Sequence, residues 1–225
     1  VYKRQELMPE KASPPLIRVD PSGDFQVAID MAADALLAGG VVAYPTETFY
    51  GLAVDIRNEA AIERLFSTKK RSATRPVLIL IACVEFLDRY VDGIPPIARR
   101  LIDAFWPGDL TLVFEADQRV SPLLTGGSGK IGIRLSSHPV ATALARAIEA
   151  PISGTSANLS GQPACSNAQE VLNRLGSGID LILDAGETAG KIGSTVLDVT
   201  VQPLRILREG VVTREHLKAQ SFAVE

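Results

Sequence analysis

Segment 45–52 combines residue types that could contact a ligand. It reads PTETFYGL and directly follows a buried apolar run. Because ligands of α/β sheets gather at the carboxyl ends of strands, the hydroxyl groups of Thr46 and Thr48 are candidate contacts. Threonine hydroxyls also bond to neighbouring backbone groups in local turns. The spacing alone leaves both interpretations open.

Four cations fall within seven positions at the predicted end of a helix: Lys69, Lys70, Arg71 and Arg75. One cation at that point would interact favourably with the helix dipole. The helix dipole does not account for the other cations. They could neutralise a triphosphate, because arginine offers bidentate contacts and lysine a point charge. A solvated charged face is the alternative, and the sequence does not separate the two.

Small polar residues fill segment 154–161, which reads GTSANLSG and follows the strand-like segment 151–153. Such a loop lets backbone N–H groups approach an anion, although most loops of this composition are plain connections. Segments 126–130 and 186–191 contain glycines and a lysine without the Walker spacing, and isoleucine follows each lysine. A P-loop is therefore excluded.

The two cysteines and two histidines form no recognised metal or nucleophile motif. The cysteines have neither the count nor the spacing of a disulfide framework or a zinc site, and His138 and His216 do not cluster with them. A hydrolase triad has no support either. Asp184 and Asp198 fall at strand ends, where they could assist a magnesium ion or serve in turns.

Alternating helices and strands must position these segments. Apolar residues at helical spacing predict helices at 25–37, 60–68, 97–105, 140–148 and 171–175, with a short one near Arg214. Asp24 is expected to cap the first helix. Apolar runs predict strands at 41–44, 77–82, 110–114, 131–135, 181–183, 194–199 and 204–207. Strands interleaved with helices indicate an α/β domain with a mixed sheet.

The chain is predicted to be a single domain, residues 21–225, preceded by a loosely ordered arm, residues 1–20, in which prolines and charges are scattered. Its formal charge of −3 gives no global excess of positive charge for nucleic-acid binding, although a local basic cleft is compatible with it. A signal-peptide core and a bilayer-spanning apolar stretch are both lacking. We expect a cytoplasmic protein without a membrane partner.

Taken in order, seven segments resemble the YrdC/TsaC family of L-threonylcarbamoyladenylate synthases. Each segment is weak alone, whereas the ordered set is highly specific and covers most of residues 25–217. The matching segments are 45–52, 69–71, 106–111, 133–139, 156–161, 194–196 and 207–210.

The resemblance implies a twisted α/β sheet with flanking helices around a large, positively lined cavity. It also implies a nucleotidyltransferase reaction that supports threonylcarbamoyladenosine (t6A) modification of tRNA. L-threonine and bicarbonate form a carbamate that attacks the α-phosphate of ATP, which releases pyrophosphate and leaves threonylcarbamoyl-AMP. ATP is a substrate, and Mg²⁺ is expected to accompany it.

By similarity, the threonine-binding residues are Thr46, Arg134 and Ser194, with Arg134 pairing the carboxylate. The ATP-binding residues are Lys69, Arg71, Ser156, Asn158, Ser166 and Arg208. Lys69 and Arg71 would act by positioning and charge neutralisation, since adenylyl transfer needs no protein nucleophile. Four positions depart from the usual family pattern: Arg75, Leu80, Asp109 and Lys130.

The resemblance further implies a separate tRNA threonylcarbamoyl transferase complex as partner, and therefore only weak tRNA contact by this chain. The chain resembles the single-domain form of the family. Two alternatives remain: an RNA-binding module that uses the same basic cavity, and the related domain of hydrogenase maturation proteins. The latter is embedded among acylphosphatase and zinc-finger segments, which this sequence lacks.

Overall fold

The computed structural model describes residues 13–225, which contain eleven strands and seven α-helices. The strands are β1 Leu16–Arg18, β2 Val42–Tyr44, β3 Gly51–Ala53, β4 Ile79–Leu80, β5 Leu110–Glu115, β6 Lys130–Arg134, β7 Ile152–Ser153, β8 Thr155–Ser156, β9 Leu181–Asp184, β10 Thr195–Asp198 and β11 Arg205–Arg208. The helices are α1 Gln26–Leu37, α2 Glu59–Lys69, α3 Pro96–Phe105, α4 Pro122–Thr125, α5 Pro139–Ala147, α6 Ala168–Leu175 and α7 Arg214–Ala219.

The strands form two mixed sheets. This confirms the expected α/β class, although one mixed sheet was expected and the structure has two. The first has the order β1-β9-β2-β3-β8 and the second β11-β10-β5-β6-β4-β7. The sheets meet beside β7, where Ser153 N–H donates to Val54 O (3.2 Å) and Ser153 Oγ donates to Leu52 O (2.8 Å). One serine therefore joins the two sheets.

The expected arm is wrong for residues 16–18, which form an edge strand. β1 pairs in parallel with β9, and Leu16 lies opposite Ile182. Proline has no N–H to donate, but its carbonyl still accepts, and Ile182 N–H donates to Pro15 O (2.9 Å). The strand can thus begin directly after the prolines. Residues 1–12 of the expected arm lie outside the described residues.

Alternation along β2 builds two apolar cores. Val42 and Tyr44 pack with α1, α5 and β9, whereas Val41 and Ala43 belong to the larger core that includes α2, α3 and α6. The N-cap residue of α1 is Phe25, so the expected cap by Asp24 is wrong by one residue. The carboxylate of Asp24 nevertheless accepts from Gln26 N–H (3.0 Å) at the start of the helix. Among the helices of residues 13–225, none combines the length and apolar character that a bilayer crossing needs.

Candidate functional site

A cavity of about 580 Å³ lies between the two sheets. The first sheet contributes residues of β2, β3, β8 and the loop after β2, and the second contributes β5, β6, β10 and β11. Among the described residues, its only acidic lining side chain is Glu209, against four cationic ones: Arg71, Lys130, Arg134 and Arg208.

Six of the nine predicted site residues line this cavity: Thr46, Arg71, Arg134, Ser156, Ser194 and Arg208. Three do not: Lys69, Asn158 and Ser166. The fold therefore brings the predicted amino-acid residues together with half of the predicted nucleotide residues.

Arg134 ends β6, and its side chain is almost fully buried at 5% exposure. Its Nη1 donates to Glu47 Oε1 (2.5 Å), and Ser136 Oγ donates to the other carboxylate oxygen of Glu47 (2.5 Å). Its Nε is buried without a hydrogen-bond partner among residues 13–225. Glu47 therefore orients the guanidinium and leaves part of its donor set unused.

The Thr46 hydroxyl closes a local turn. It donates to Phe49 O (2.6 Å) and accepts from Thr48 N–H (3.2 Å). The turn interpretation of segment 45–52 is thus correct for this hydroxyl, and Thr46 nevertheless lines the cavity. The turn fixes the direction of the side chain at the cavity wall.

Arg208 and Ser194 meet at the ends of neighbouring strands. The guanidinium donates to Ser194 O through Nε (3.1 Å) and Nη2 (2.7 Å). Ser194 Oγ lies 3.1 Å from Thr111 Oγ1. Partial burial, and after it the charge of Arg134, lower the pKa of Arg208. Two arginines from different strands thus face one volume.

Arg71 lines the cavity while it also orders the loop that follows α2. Its Nη2 donates to Pro76 O (2.7 Å). Burial, and then the charge of Arg75, lower the pKa of Arg71. Arg75 itself is exposed and lies outside the cavity lining.

Lys69 has a different environment from Arg71. Only 1% of Lys69 is exposed, and its Nζ donates to Ser156 O and to Asn158 O (2.8 Å). Asn158 is also committed within the protein, because its Nδ2 donates to Leu159 O (2.9 Å) and Gln162 O (2.7 Å). The amine of Lys69 and the amide of Asn158 therefore support the loop that carries Ser156.

Ser166 lies beside the loop after β9 and away from the cavity lining. Its N–H donates to Glu170 Oε2 (3.1 Å), and its carbonyl accepts from Thr188 N–H (2.8 Å). These backbone bonds join the start of α6 to segment 186–190. No described contact places the Ser166 hydroxyl with the other predicted ATP residues.

Three residues of the site have no role in the sequence prediction: Glu47, Thr111 and Ser136. All three lie within matched segments, so their positions were available from the sequence. The pairing of Glu47 with Arg134 spans 87 positions and carries no local signal.

The departures from the family pattern have different environments. Leu80 is buried in the core with α1 and α5, and Lys130 Nζ donates to Asp198 Oδ2 (3.0 Å). Asp109 Oδ1 is buried without a partner among the described residues, and burial, followed by Glu47, raises the pKa of Asp109. Within residues 13–225, His, Cys, Asp and Glu side chains nowhere gather in threes in a way that could hold a metal ion.

The family model described as telomere recombination, which covers the Sua5, YciO and YrdC proteins, matches residues 34–210. The chain belongs to the Sua5/YciO/YrdC family. The Sua5/YciO/YrdC relatives include the threonylcarbamoyl-AMP synthase of Pyrococcus abyssi, 38% identical over 190 residues, which cover 84% of this chain and 56% of that protein. The synthase of Vibrio cholerae is 38% identical over 185 residues, which cover 81% of this chain and 97% of that protein.

Solved structures of the Sua5/YciO/YrdC family share the fold. P. abyssi Sua5 complexed with L-threonine superposes with a TM-score of 0.89 at 35% identity, over 93% of this chain and 62% of that one. Escherichia coli YciO superposes with a TM-score of 0.81 at 28% identity, over 88% of this chain and 96% of that one. The chain spans just over half the length of the synthases of P. abyssi and Bacillus subtilis, at 56% and 57%.

Proposed function

We propose that this chain is an L-threonylcarbamoyladenylate synthase, a nucleotidyltransferase that converts L-threonine, bicarbonate and ATP into threonylcarbamoyl-AMP and pyrophosphate. The observation that carries the proposal is that one cavity is lined by residues from both predicted sets. They are the whole amino-acid set, Thr46, Arg134 and Ser194, and three of the six nucleotide residues, Arg71, Ser156 and Arg208. The names of the relatives and the threonine complex of P. abyssi Sua5 support it.

The amino-acid end of the cavity is proposed to form around Arg134. Glu47 takes Nη1, so the other N–H groups of the guanidinium can meet a substrate carboxylate after a small shift. An arginine fork suits a carboxylate because it donates in two parallel directions. The hydroxyl groups of Thr46 and Ser194 then border the substrate side chain.

The triphosphate is proposed to lie against Arg71 and Arg208, with Mg²⁺ entering as part of the nucleotide substrate. A carbamate oxygen attacks the α-phosphorus, the bond to the bridging oxygen breaks, and pyrophosphate leaves with that electron pair. The protein contributes charge neutralisation and alignment and no covalent intermediate. Arg71 and Arg208, two of the four cations of the lining, are suited to this role.

The cavity also suits an intermediate that water would destroy. Its walls include the apolar side chains of Val77, Val113 and Val196 besides the polar residues. A concave, partly apolar site limits the water around a carbamate before it reacts. We place this activity in the cytoplasm. There a tRNA threonylcarbamoyl transferase complex would consume the product, and this chain would contact tRNA only weakly.

Pyrophosphate release tests the proposal directly. We expect release from ATP only when threonine and bicarbonate are both present, with each omission reducing it to background. If the cavity instead serves an RNA-binding module, no pyrophosphate will be released under any of these conditions, and RNA will bind with an affinity that falls steeply with salt. That result would reject the enzyme assignment.

A further inference from the structure

Lys69 is among the largest fully buried side chains of the described residues, although it belongs to the cation cluster at the end of α2. It lies on the α2 face that also buries Ile62, Leu65 and Phe66. A lysine is almost never fully buried unless its amine is paired, because burying an unpaired charge is costly. Its partners therefore define its role.

The Lys69 amine has three oxygen acceptors, all from residues 156 and 158, which lie at the end of β8 and in the loop that follows it. They are the carbonyls of Ser156 and Asn158 (2.8 Å to the latter) and Asn158 Oδ1 (3.4 Å). An ammonium group has three N–H donors, so the set is matched. In the opposite direction, Ser160 N–H donates to Lys69 O (2.9 Å). The end of α2 and this loop are thus tied in both directions.

This tie leads to the cavity through one side chain. Asn158 Oδ1, which Lys69 contacts, also accepts from Ser156 Oγ (2.5 Å). Ser156 lines the cavity, whereas Lys69 and Asn158 do not. Lys69 therefore contacts the loop and does not face the cavity.

We propose that Lys69 is a positioning residue whose amine donates to the carbonyl oxygens of residues 156 and 158 and so holds Ser156 in the geometry that ATP binding requires. This role rests on the proposed function, since it assigns the Ser156 wall to the nucleotide. It differs from direct phosphate contact, which the density of cations in the sequence suggested.

Burial opposes the charge of Lys69 and leaves its hydrogen bonds in place. Burial, and then the charge of Arg71, lower the pKa of Lys69 to about 7, while Cys165 acts in the opposite direction. Burial raises the pKa of the Cys165 thiol, so this thiol stays neutral near pH 7, and Arg174 and Glu170 also act on it. A neutral amine keeps two N–H donors, which match the two carbonyls of Ser156 and Asn158.

The test compares two adjacent lysines. Lys69→Met keeps most of the length of the buried side chain and removes its amine, and Lys70→Met makes the same change at an exposed position. Hydrogen exchange of residues 156–162 is measured without nucleotide, ATP affinity is measured by calorimetry, and circular dichroism reports folding.

For Lys69→Met we expect exchange in residues 156–162 to rise at least tenfold and the Kd for ATP to rise at least tenfold. Lys70→Met should change both by less than twofold. Weaker ATP binding with unchanged exchange in the loop would indicate direct phosphate contact and overturn the proposal. A loosened loop with wild-type ATP affinity would overturn it as well.

If Lys69→Met does not fold, reductive methylation of the wild-type chain decides, with the modified lysines identified by mass spectrometry. Lys69 should react at least tenfold more slowly than the exposed Lys70, both without and with ATP, because its amine is buried and bound to the loop. Protection of Lys69 only when ATP is present would indicate direct phosphate contact and overturn the role. Failure of the wild-type chain to bind ATP would instead overturn the proposed function.

Discussion

Lys69 and Arg71 are two positions apart, but the fold gives them different surroundings. The buried residues Ile62, Leu65, Phe66 and Lys69 follow helical spacing, so the periodicity of α2 already contained the signal that Lys69 faces inward. Its acceptors could not be predicted, because they lie 87 and 89 positions away. Arg71 lines the cavity, whereas Lys69 lies behind the cavity wall, and the cation density alone did not distinguish the two.

At Arg134, replacement by lysine should separate the two substrates. Lysine keeps the charge but loses the fork, so we expect the Kd for threonine to rise about tenfold or more, as for loss of one charge-assisted hydrogen bond. ATP affinity should change by less than about threefold. Calorimetry with each ligand measures this. Arg146→Lys, at an exposed position of α5, is the control, and equal losses for both ligands would contradict a threonine-specific role.

At Arg208, the same strand supplies a matched control. Arg208→Gln should raise the Kd for ATP about tenfold, because a partly desolvated guanidinium loses its charge-assisted contact. Arg205→Gln, three residues earlier on β11 and outside the cavity lining, should leave it unchanged. Titration at fixed ionic strength compares the two. Similar effects of both variants would mean that only overall charge matters.

At the scale of elements, long periodic segments were predictable and short strands were not. Helices α1, α2, α3 and α5 lie within a few residues of their predicted bounds, because each buries a continuous apolar stripe. Strands of two or three residues, such as β1, β3 and β8, have too few residues for a period. The predicted strand at 77–82 shrinks to Ile79–Leu80, since an apolar run reports burial and not pairing.

The junction of β10 and β11 tolerates no side chain at Gly210. A Cβ there would overlap the carbonyl oxygen of Gly193 and lie 2.7 Å from Ser194 C. Both are backbone atoms, so Gly210→Ala should destabilise the fold by about 1–3 kcal/mol and weaken ATP binding by displacing Arg208 from Ser194. Urea unfolding and titration measure these effects. Gly23→Ala, in an exposed turn, is the control, and wild-type stability of Gly210→Ala would contradict the packing account.

For the whole molecule, the net charge gives no indication of the positively charged cavity. The formal charge is −3, yet the cavity lining holds four cations and one acid among the described residues. Composition averages over the surface, whereas the division into two sheets decides which charges face each other. That division depends on pairings such as Gly51 with Ser156 and Ile79 with Ser153, which connect distant parts of the chain. Local periodicity contains no information on them.

The lowered pKa of Lys69 should also make the free energy of unfolding of the whole chain depend on pH. Its pKa in the folded chain is about 7, below the ordinary 10.5, so the unfolded chain binds more protons between these values. The contribution of Lys69 to the free energy of unfolding therefore rises with pH in this window and is lost as pH falls through 7. Relative to Lys69→Met, the wild type should gain about 2 kcal/mol between pH 7 and 9. Urea unfolding at both pH values checks this. If the difference in unfolding free energy between the wild type and Lys69→Met stays constant, the pKa of Lys69 is not lowered in the folded chain.

The central claim is that one cavity joins threonine, bicarbonate and ATP. The most direct measurement is mass spectrometry of the product formed with ¹³C-bicarbonate. We expect threonylcarbamoyl-AMP that carries one ¹³C atom from the wild-type and Arg205→Gln chains, and markedly less from Arg134→Lys and Arg208→Gln. Pyrophosphate release that yields only AMP, or an adenylate without the label, would contradict the claim.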